Sequence, residues 1–320
     1  MKKIITDIVQ LTPAQRDRIG RAAADHGYEA RFCADSATAL AEAKDAEILF
    51  SGNLALPKVA RELRWLCVPS AGVEPYIPRD LYANPTALLT NSSGAYGVTI
   101  SEHITMVTLE LMRRQMEYSA LVATHGWRRD LPVRSIRDSR VTLLGTGNIG
   151  QEAAHRLRAF GPRCIVGVNR TGRMPGDDFD RVLPLSGLDD ALPETDLLIL
   201  SLPGTPETRG IMDRRRLALL PADAFLVNVG RGNAIDQRAL QALMTEGHLS
   251  GAALDVFEVE PLPPEDPLWD CPRLLITPHC SGNTTLGYTL ERIVSLFLED
   301  FENYCAGRPL ERQVDLKLGY

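Results

Sequence analysis

The sequence predicts a parallel α/β fold arranged in two domains. Three observations carry this. Short β-branched apolar runs alternate with helical patterns along nearly the whole chain. The chain has 320 residues, more than a single core usually organises. One strand-to-helix junction in its middle is a glycine-rich turn, Gly145-Thr146-Gly147-Asn148-Ile149-Gly150.

The elements follow in order. In the first hundred residues strands are expected at 3–9, 31–34, 47–51, 65–68 and 87–90, with helical stretches such as 13–26 and 37–44 between them. Each run ends near Gly, Pro, Asn or Ser. Residues 99–124 form the longest helical pattern, startable at Thr99-Ile100-Ser101-Glu102 and stopped by His125-Gly126. Residues 127–140 read as a solvated connector, because Asp130 and Asp138 dilute Arg128, Arg129, Arg134 and Arg137. A fresh α/β series runs from Val141 to about residue 280, and a last helix, 286–304, precedes an extended tail.

Bulk properties exclude several classes. The net charge of −6, from 35 basic and 41 acidic side chains, gives no global attraction for nucleic acid or an anionic membrane. No stretch approaches the roughly 20 apolar residues of a membrane span. Met1-Lys2-Lys3-Ile4-Ile5 is too briefly apolar for a secretory leader. The six cysteines, at 33, 67, 164, 271, 280 and 305, form no Cys-x-x-Cys pair and no zinc spacing. Reduced thiols in a cytoplasm, and no metal, are the expectation.

The glycine turn has the context that gives it meaning. Val141-Thr142-Leu143-Leu144 is a buried strand, and 151–160 is helical. Gly145 permits the turn, Gly147 lets a pyrophosphate approach the backbone, and Gly150 lets helix and strand pack closely. The amides of Asn148, Ile149 and Gly150 open the helix toward an anion. This predicts a Rossmann-type dinucleotide-binding domain. The next strand, 164–168, ends in Asn169-Arg170-Thr171-Gly172-Arg173. NAD enzymes usually place Asp or Glu at this strand end, and that acid would repel a 2′-phosphate. Asn169 does not repel it, and Arg170, Thr171 and Arg173 can bind it, so NADP is favoured over NAD. The alternative is that both arginines simply face solvent.

Three more strands end in polar groups. They are Val227-Asn228-Val229-Gly230-Arg231, Leu254-Asp255-Val256-Phe257-Glu258-Val259-Glu260 and Ile276-Thr277-Pro278-His279. Following apolar runs, these ends should share the carboxyl edge of one parallel sheet, where open α/β sheets bind ligands. The set suits hydride chemistry on a 2-oxo acid. Arg231 offers a planar cation for a carboxylate and a polarised carbonyl. His279 offers an imidazole that can protonate an alkoxide, and Glu260 can orient its ring.

These residues resemble the D-isomer-specific 2-hydroxyacid dehydrogenase family, with a likeness to glyoxylate and hydroxypyruvate reductases. The matches are Gly145–Gly150 as Gly-Thr-Gly-Asn-Ile-Gly, Leu-Pro-Gly-Thr-Pro-Glu-Thr-Arg-Gly (202–210), Val-Asn-Val-Gly-Arg-Gly (227–232), Leu-Asp-Val-Phe-Glu-Val-Glu-Pro (254–261) and Thr-Pro-His (277–279). Ile100-Ser101-Glu102-His103 and Gly307-Arg308-Pro309-Leu310 extend it. The resemblance implies a flavodoxin-like substrate domain from 1–100 and 286–320, with a Rossmann domain inserted at 101–285. It implies Arg231, Glu260 and His279 as catalytic residues and Asp255 at the nicotinamide carboxamide. Leu202, Pro203, Thr208, Val229 and Ser281 then join the cofactor contacts. Asn53, Ser70, Ala71, Gly72 and Tyr96 become the substrate contacts. A homodimer using the 99–124 helix is implied too.

Departures narrow the expectation. Tyr96 stands where the family often has asparagine; it either lines the substrate pocket or packs in the core. Ser51-Gly52-Asn53 lacks the arginines usual in phosphoglycerate dehydrogenases, so an unphosphorylated acid is expected. The alternative of a different class is a nicotinamide-sensing corepressor of the same fold, and no partner-binding tail favours it. A formate or phosphonate dehydrogenase is a third reading, and the missing asparagine argues against formate.

Overall fold

A computed structural model describes residues 1–320. In chain order its first elements are β1 (Lys2–Thr6), α1 (Pro13–Asp25), β2 (Tyr28–Phe32), α2 (Ser36–Glu42), β3 (Ile48–Phe50), α3 (Leu56–Val59), β4 (Trp65–Cys67) and β5 (Leu88–Thr90). Then come α4 (Gly97–Met112), α5 (Gln115–Ala123), β6 (Arg140–Leu144), α6 (Asn148–Arg158), β7 (Cys164–Asn169), β8 (Arg181–Pro184), α7 (Leu188–Ala191) and β9 (Leu197–Leu200). The last are α8 (Arg214–Leu219), β10 (Phe225–Asn228), α9 (Gln237–Thr245), β11 (Gly251–Leu254), β12 (Leu274–Ile276) and α10 (Gly287–Cys305).

Two compact units form, Met1–Ala95 with Thr284–Tyr320, and Tyr96–Asn283. The first holds a parallel sheet ordered β2-β1-β3-β4-β5, the flavodoxin-like order. Local chemistry sets its helix starts. Thr12 and Gln15 cap α1 reciprocally, with Pro13 at the first position, and Asp35 Oδ1 accepts the Thr38 amide at 2.8 Å to begin α2. The apolar face of α10 covers this sheet. Phe297 stacks on Phe50 with ring centres 4.2 Å apart and on Trp65 at 5.4 Å. The tail returns to the edge strand, where Val314 N donates to Leu89 O at 2.9 Å.

The second unit holds a seven-stranded parallel sheet ordered β12-β11-β10-β9-β6-β7-β8. Strand order reverses between β6 and β9, the switch point of a doubly wound Rossmann sheet. Its strands are apolar on both faces, as a sheet covered by helices requires. No helix in the chain is long and apolar enough to cross a membrane. All six cysteines are unpaired.

Two expectations need correction. The single helix expected over 99–124 is two helices, because Arg114 takes a left-handed backbone at φ 60. The Met112 carbonyl accepts the Arg134 amide at 2.8 Å instead of continuing the helical ladder. The longest helix is therefore α10, with 19 residues. The strand expected at 31–34 starts earlier, at Tyr28, directly after the positive-φ turn at Gly27.

Candidate active site

The glycine turn joins β6 to α6 at the switch point. Gly145 has φ 106, and a Cβ there would fall 2.9 Å from the Ser201 carbonyl oxygen. A Cβ on Gly150 would fall 2.2 Å from the Gly145 carbonyl oxygen, so that glycine is what seats the helix on the strand. Gly147 differs. Its backbone is ordinary, φ −72 and ψ −165, and a Cβ there meets nothing within 4 Å. The space before it is open. No side chain caps α6, so its first amides, those of Asn148, Ile149 and Gly150, face that space without partners. A glycine needed for neither turn nor packing, beside unpaired helix-start amides, fits a dinucleotide diphosphate.

At the end of β7, Asn169 organises the adjoining loop. Its Nδ2 donates to Thr146 Oγ1 at 2.8 Å and to Arg173 O at 2.9 Å, while its Oδ1 accepts Gly172 N at 2.7 Å and Thr171 N at 3.1 Å. Arg170, Thr171 and Arg173 are exposed on this loop. Neither arginine forms an ion pair.

The other cofactor candidates are loop residues of the same sheet edge. A Cβ on Gly230 would lie 2.7 Å from Leu202 N, so the loops after β9 and β10 touch. Leu202 and Val229 are buried there. Thr208 Oγ1 donates to Pro203 O at 2.6 Å and accepts Thr205 N at 2.9 Å, which braces its own loop.

Arg231, Asp255 and His279 follow β10, β11 and β12, which are neighbours in register: Asn228 is level with Leu254, and Leu254 with Ile276. All three therefore leave the carboxyl edge of one sheet from strands about 4.8 Å apart. Buried Asn228 buttresses the Arg231 turn, its Nδ2 donating to Arg231 O at 3.0 Å and its Oδ1 accepting Gly230 N at 3.1 Å. Gly232 presses this turn against the next one: a Cβ there would lie 1.9 Å from the carbonyl carbon of Phe257. Glu260 closes that second turn, with Oε1 accepting Phe257 N at 2.8 Å. Its Oε2 lies 2.7 Å from His279 Nδ1. The imidazole and carboxylate, 19 residues apart in sequence, thus meet at an exposed position.

Asp255 is buried. Burial works hardest against its charge, but hydrogen bonds from Ser281, Thr277 and the Cys280 and Ser281 amides hold its pKa below the usual carboxylate value. Oδ1 accepts Thr277 Oγ1 at 2.6 Å and Cys280 N at 3.0 Å, and Oδ2 accepts Ser281 N at 3.1 Å. Its carbonyl accepts His279 N at 2.9 Å. The carboxylate expected to face a carboxamide is thus engaged with the histidine loop. Thr277, and His103 whose Nε2 lies 3.3 Å from the Thr277 hydroxyl, were not singled out from sequence. The signal was present: His103 is a polar residue beside Ile100 and Ile104 on a largely apolar helix.

Tyr96 is buried, its hydroxyl pushed up to about 12 by desolvation, and its ring packs against Gly282. In the first unit, Ser70 Oγ donates to Gly72 O at 2.7 Å, Ser92 N to Ser70 O at 2.9 Å and Asn91 Nδ2 to Ala71 O at 2.9 Å. All three carbonyls are thereby engaged, while the amides of Ala71 and Gly72 have no partner. Asn53, expected to meet substrate, uses its side chain locally. Its Nδ2 donates to Ser36 Oγ at 2.8 Å and Asp7 Oδ2 at 3.3 Å, and its Oδ1 accepts Ala55 N at 3.0 Å.

Comparison with known proteins agrees with this geometry. A family model described as D-isomer specific 2-hydroxyacid dehydrogenase, NAD binding domain, matches residues 105–281. Glyoxylate/hydroxypyruvate reductase A of Salmonella typhi is 31% identical over 266 residues, covering 81% of this chain and 83% of that protein. The structure of a D-isomer specific 2-hydroxyacid dehydrogenase family protein from Aeromonas salmonicida superposes with a TM-score of 0.86 at 31% identity, covering 98% of this chain and 99% of that one. An NADPH-dependent glyoxylate/hydroxypyruvate reductase from Sinorhizobium meliloti, solved with NADP and sulfate, gives a TM-score of 0.83 at 29% identity over 100% of both chains. Turn, sheet edge and sequence together place the chain in the D-isomer specific 2-hydroxyacid dehydrogenase family, as an NAD(P)-dependent oxidoreductase of 2-hydroxy acids.

Proposed function

We propose that this enzyme reduces small unphosphorylated 2-oxo acids to D-2-hydroxy acids with NADPH, with His279 as the proton donor. The observation that carries the reading is the 2.7 Å contact between His279 Nδ1 and Glu260 Oε2 on the carboxyl edge of the dinucleotide-binding sheet. An ionised carboxylate only accepts, so Nδ1 carries a hydrogen and Nε2 is left to exchange the catalytic proton. Glu260, itself tied to Phe257 N, fixes the ring. Arg231 supplies the cation for the substrate carboxylate and the developing alkoxide. When bound, the reduced nicotinamide supplies the hydride. The glycine turn would hold its diphosphate, and Leu202 and Val229 would pack beside it.

Preference for NADPH rests on the loop after β7. Asn169 brings no negative charge there, and the guanidiniums of Arg170 and Arg173 stand without carboxylate partners. The Sinorhizobium meliloti relative, solved with NADP, supports this. We also propose a homodimer through α4, where Met106, with Phe160 just past the end of α6, exposes apolar surface beside Leu109. Light scattering should then give about twice the 35.2 kDa chain mass. A corepressor role is not favoured, because the similar proteins named above are reductases and dehydrogenases.

The direct test is turnover on a panel of 2-oxo acids, glyoxylate and hydroxypyruvate included, with NADPH and with NADH. Turnover favouring NADPH and yielding the D-product is expected from any oxo acid with a prochiral centre. No turnover on the whole panel, or a clear preference for NADH, contradicts the corresponding part of the reading.

A further inference from the structure

His103 lies on the buried side of α4, between Ile100, Ile104 and Val107. Its Nε2 is 3.3 Å from Thr277 Oγ1. That hydroxyl has one proton, and Asp255 Oδ1 takes it at 2.6 Å. Because hydrogen bonding keeps Asp255 ionised, Thr277 can only accept from His103, and Nε2 must carry the hydrogen. Burial lowers the His103 pKa, against the opposing pull of Asp255 and Glu110. The ring therefore joins this network as a neutral Nε2–H donor.

The network continues into the loop that carries His279. The Cys280 and Ser281 amides bond the Asp255 carboxylate, and the His279 amide bonds the Asp255 carbonyl. His279 itself holds a left-handed backbone, φ 51. A non-glycine residue keeps that conformation only where its surroundings over-determine it. These bonds are such surroundings.

We propose that His103 is a positioning residue for the reaction: its Nε2–H fixes the Thr277 hydroxyl on Asp255, and through that pair the loop that aims His279 at Glu260. The proposal rests on the role given to His279 above. No bond to substrate or cofactor is required of His103. Its effect is transmitted through two hydrogen bonds and one loop.

Three variants test it in steady-state kinetics with the oxo acid and NADPH. His103→Leu removes the donor, His103→Gln restores an N–H near the Nε2 position, and Thr277→Val removes the hydroxyl with little change of shape. The leucine variant should lower kcat by about tenfold or more while leaving KM for the oxo acid within about threefold, since misaligned catalytic groups slow the chemical step. The glutamine variant should recover to within about threefold of wild type. The double variant His103→Leu/Thr277→Val should be no slower than the slower single one, because both cut one link. A leucine variant with wild-type kcat, a glutamine variant as slow as leucine, or additive losses in the double variant overturns the proposal. If circular dichroism shows that His103→Leu does not fold, the other two variants decide: a slow valine with a fast glutamine supports the link, and any other pairing removes it. His279→Ala is assayed alongside. If it still turns over, the assignment of His279 itself fails; if it is slow while His103→Leu is normal, only the positioning role fails.

Discussion

Replacing Gly147 by alanine adds one methyl group where the structure is empty and where a diphosphate is expected. The folded state should tolerate it. The backbone at φ −72, ψ −165 suits any L-residue, and the new Cβ has no neighbour within 4 Å. Gly→Ala at a compatible site stabilises by about 0.4–1 kcal/mol through the unfolded chain. Tm should therefore hold or rise by roughly 1–4 °C. Binding should suffer. Displacing the diphosphate from even one helix-start amide loses a charge-assisted hydrogen bond of about 1.5–3 kcal/mol. That raises the NADPH Kd by roughly 10- to 150-fold. Nucleotide fluorescence titration gives Kd, and a thermal melt without nucleotide gives Tm. The reasoning is refuted if Gly147→Ala binds NADPH within about threefold of wild type, or if its Tm falls by more than about 4 °C, since a packing role would then explain this glycine.

Gly232→Ala should behave the opposite way. Its Cβ would stand 1.9 Å from the Phe257 backbone, so the Arg231 and Glu260 turns must part; both Tm and kcat should drop, kcat by about tenfold to a hundredfold, and an active variant with normal Tm contradicts the contact. Replacing Arg170 and Arg173 together by alanine should lower kcat/KM with NADPH by about 10- to 100-fold and leave NADH nearly unchanged; equal losses with both cofactors would remove the 2′-phosphate assignment. Asp196 accepts the Arg140 amide at 2.7 Å and its guanidinium at 3.1 Å, tying the starts of β6 and β9. Burial opposes its charge, yet these bonds hold its pKa below the ordinary value. A depressed carboxylate stabilises above its unfolded pKa of about 3.9 and loses that contribution as pH falls through the folded value. Asp196→Asn should thus cost about 1.5–3 kcal/mol at pH 7, with the difference shrinking in chemical denaturation below about pH 4; a pH-independent difference contradicts the linkage.

The sheets were legible because buried parallel strands write themselves as short β-branched runs, and the glycine turn because its spacing has a steric cause at each position. The Arg231, Asp255 and His279 strand ends could be read as one edge for the same reason. What sequence did not show depends on contacts between distant segments. The break at Arg114 arises when a connector amide 22 residues beyond Met112 takes that helix-end carbonyl. The Asp255 network needs α4 and the β12 loop side by side, which no local pattern encodes. Asn53 and Thr208 carry the right chemistry for binding, yet in the fold their side chains are engaged nearby, Asn53 by Ser36, Asp7 and the Ala55 amide and Thr208 by the Pro203 carbonyl and the Thr205 amide.

The proposed chemistry depends on the imidazole that Glu260 holds. His279→Ala, assayed for kcat on glyoxylate and for NADPH Kd in the same preparation, tests it most directly. A fall in kcat of about a hundredfold or more, with cofactor affinity retained, is the predicted result for a lost general acid. A fall of less than about tenfold in a chain that still binds NADPH contradicts it.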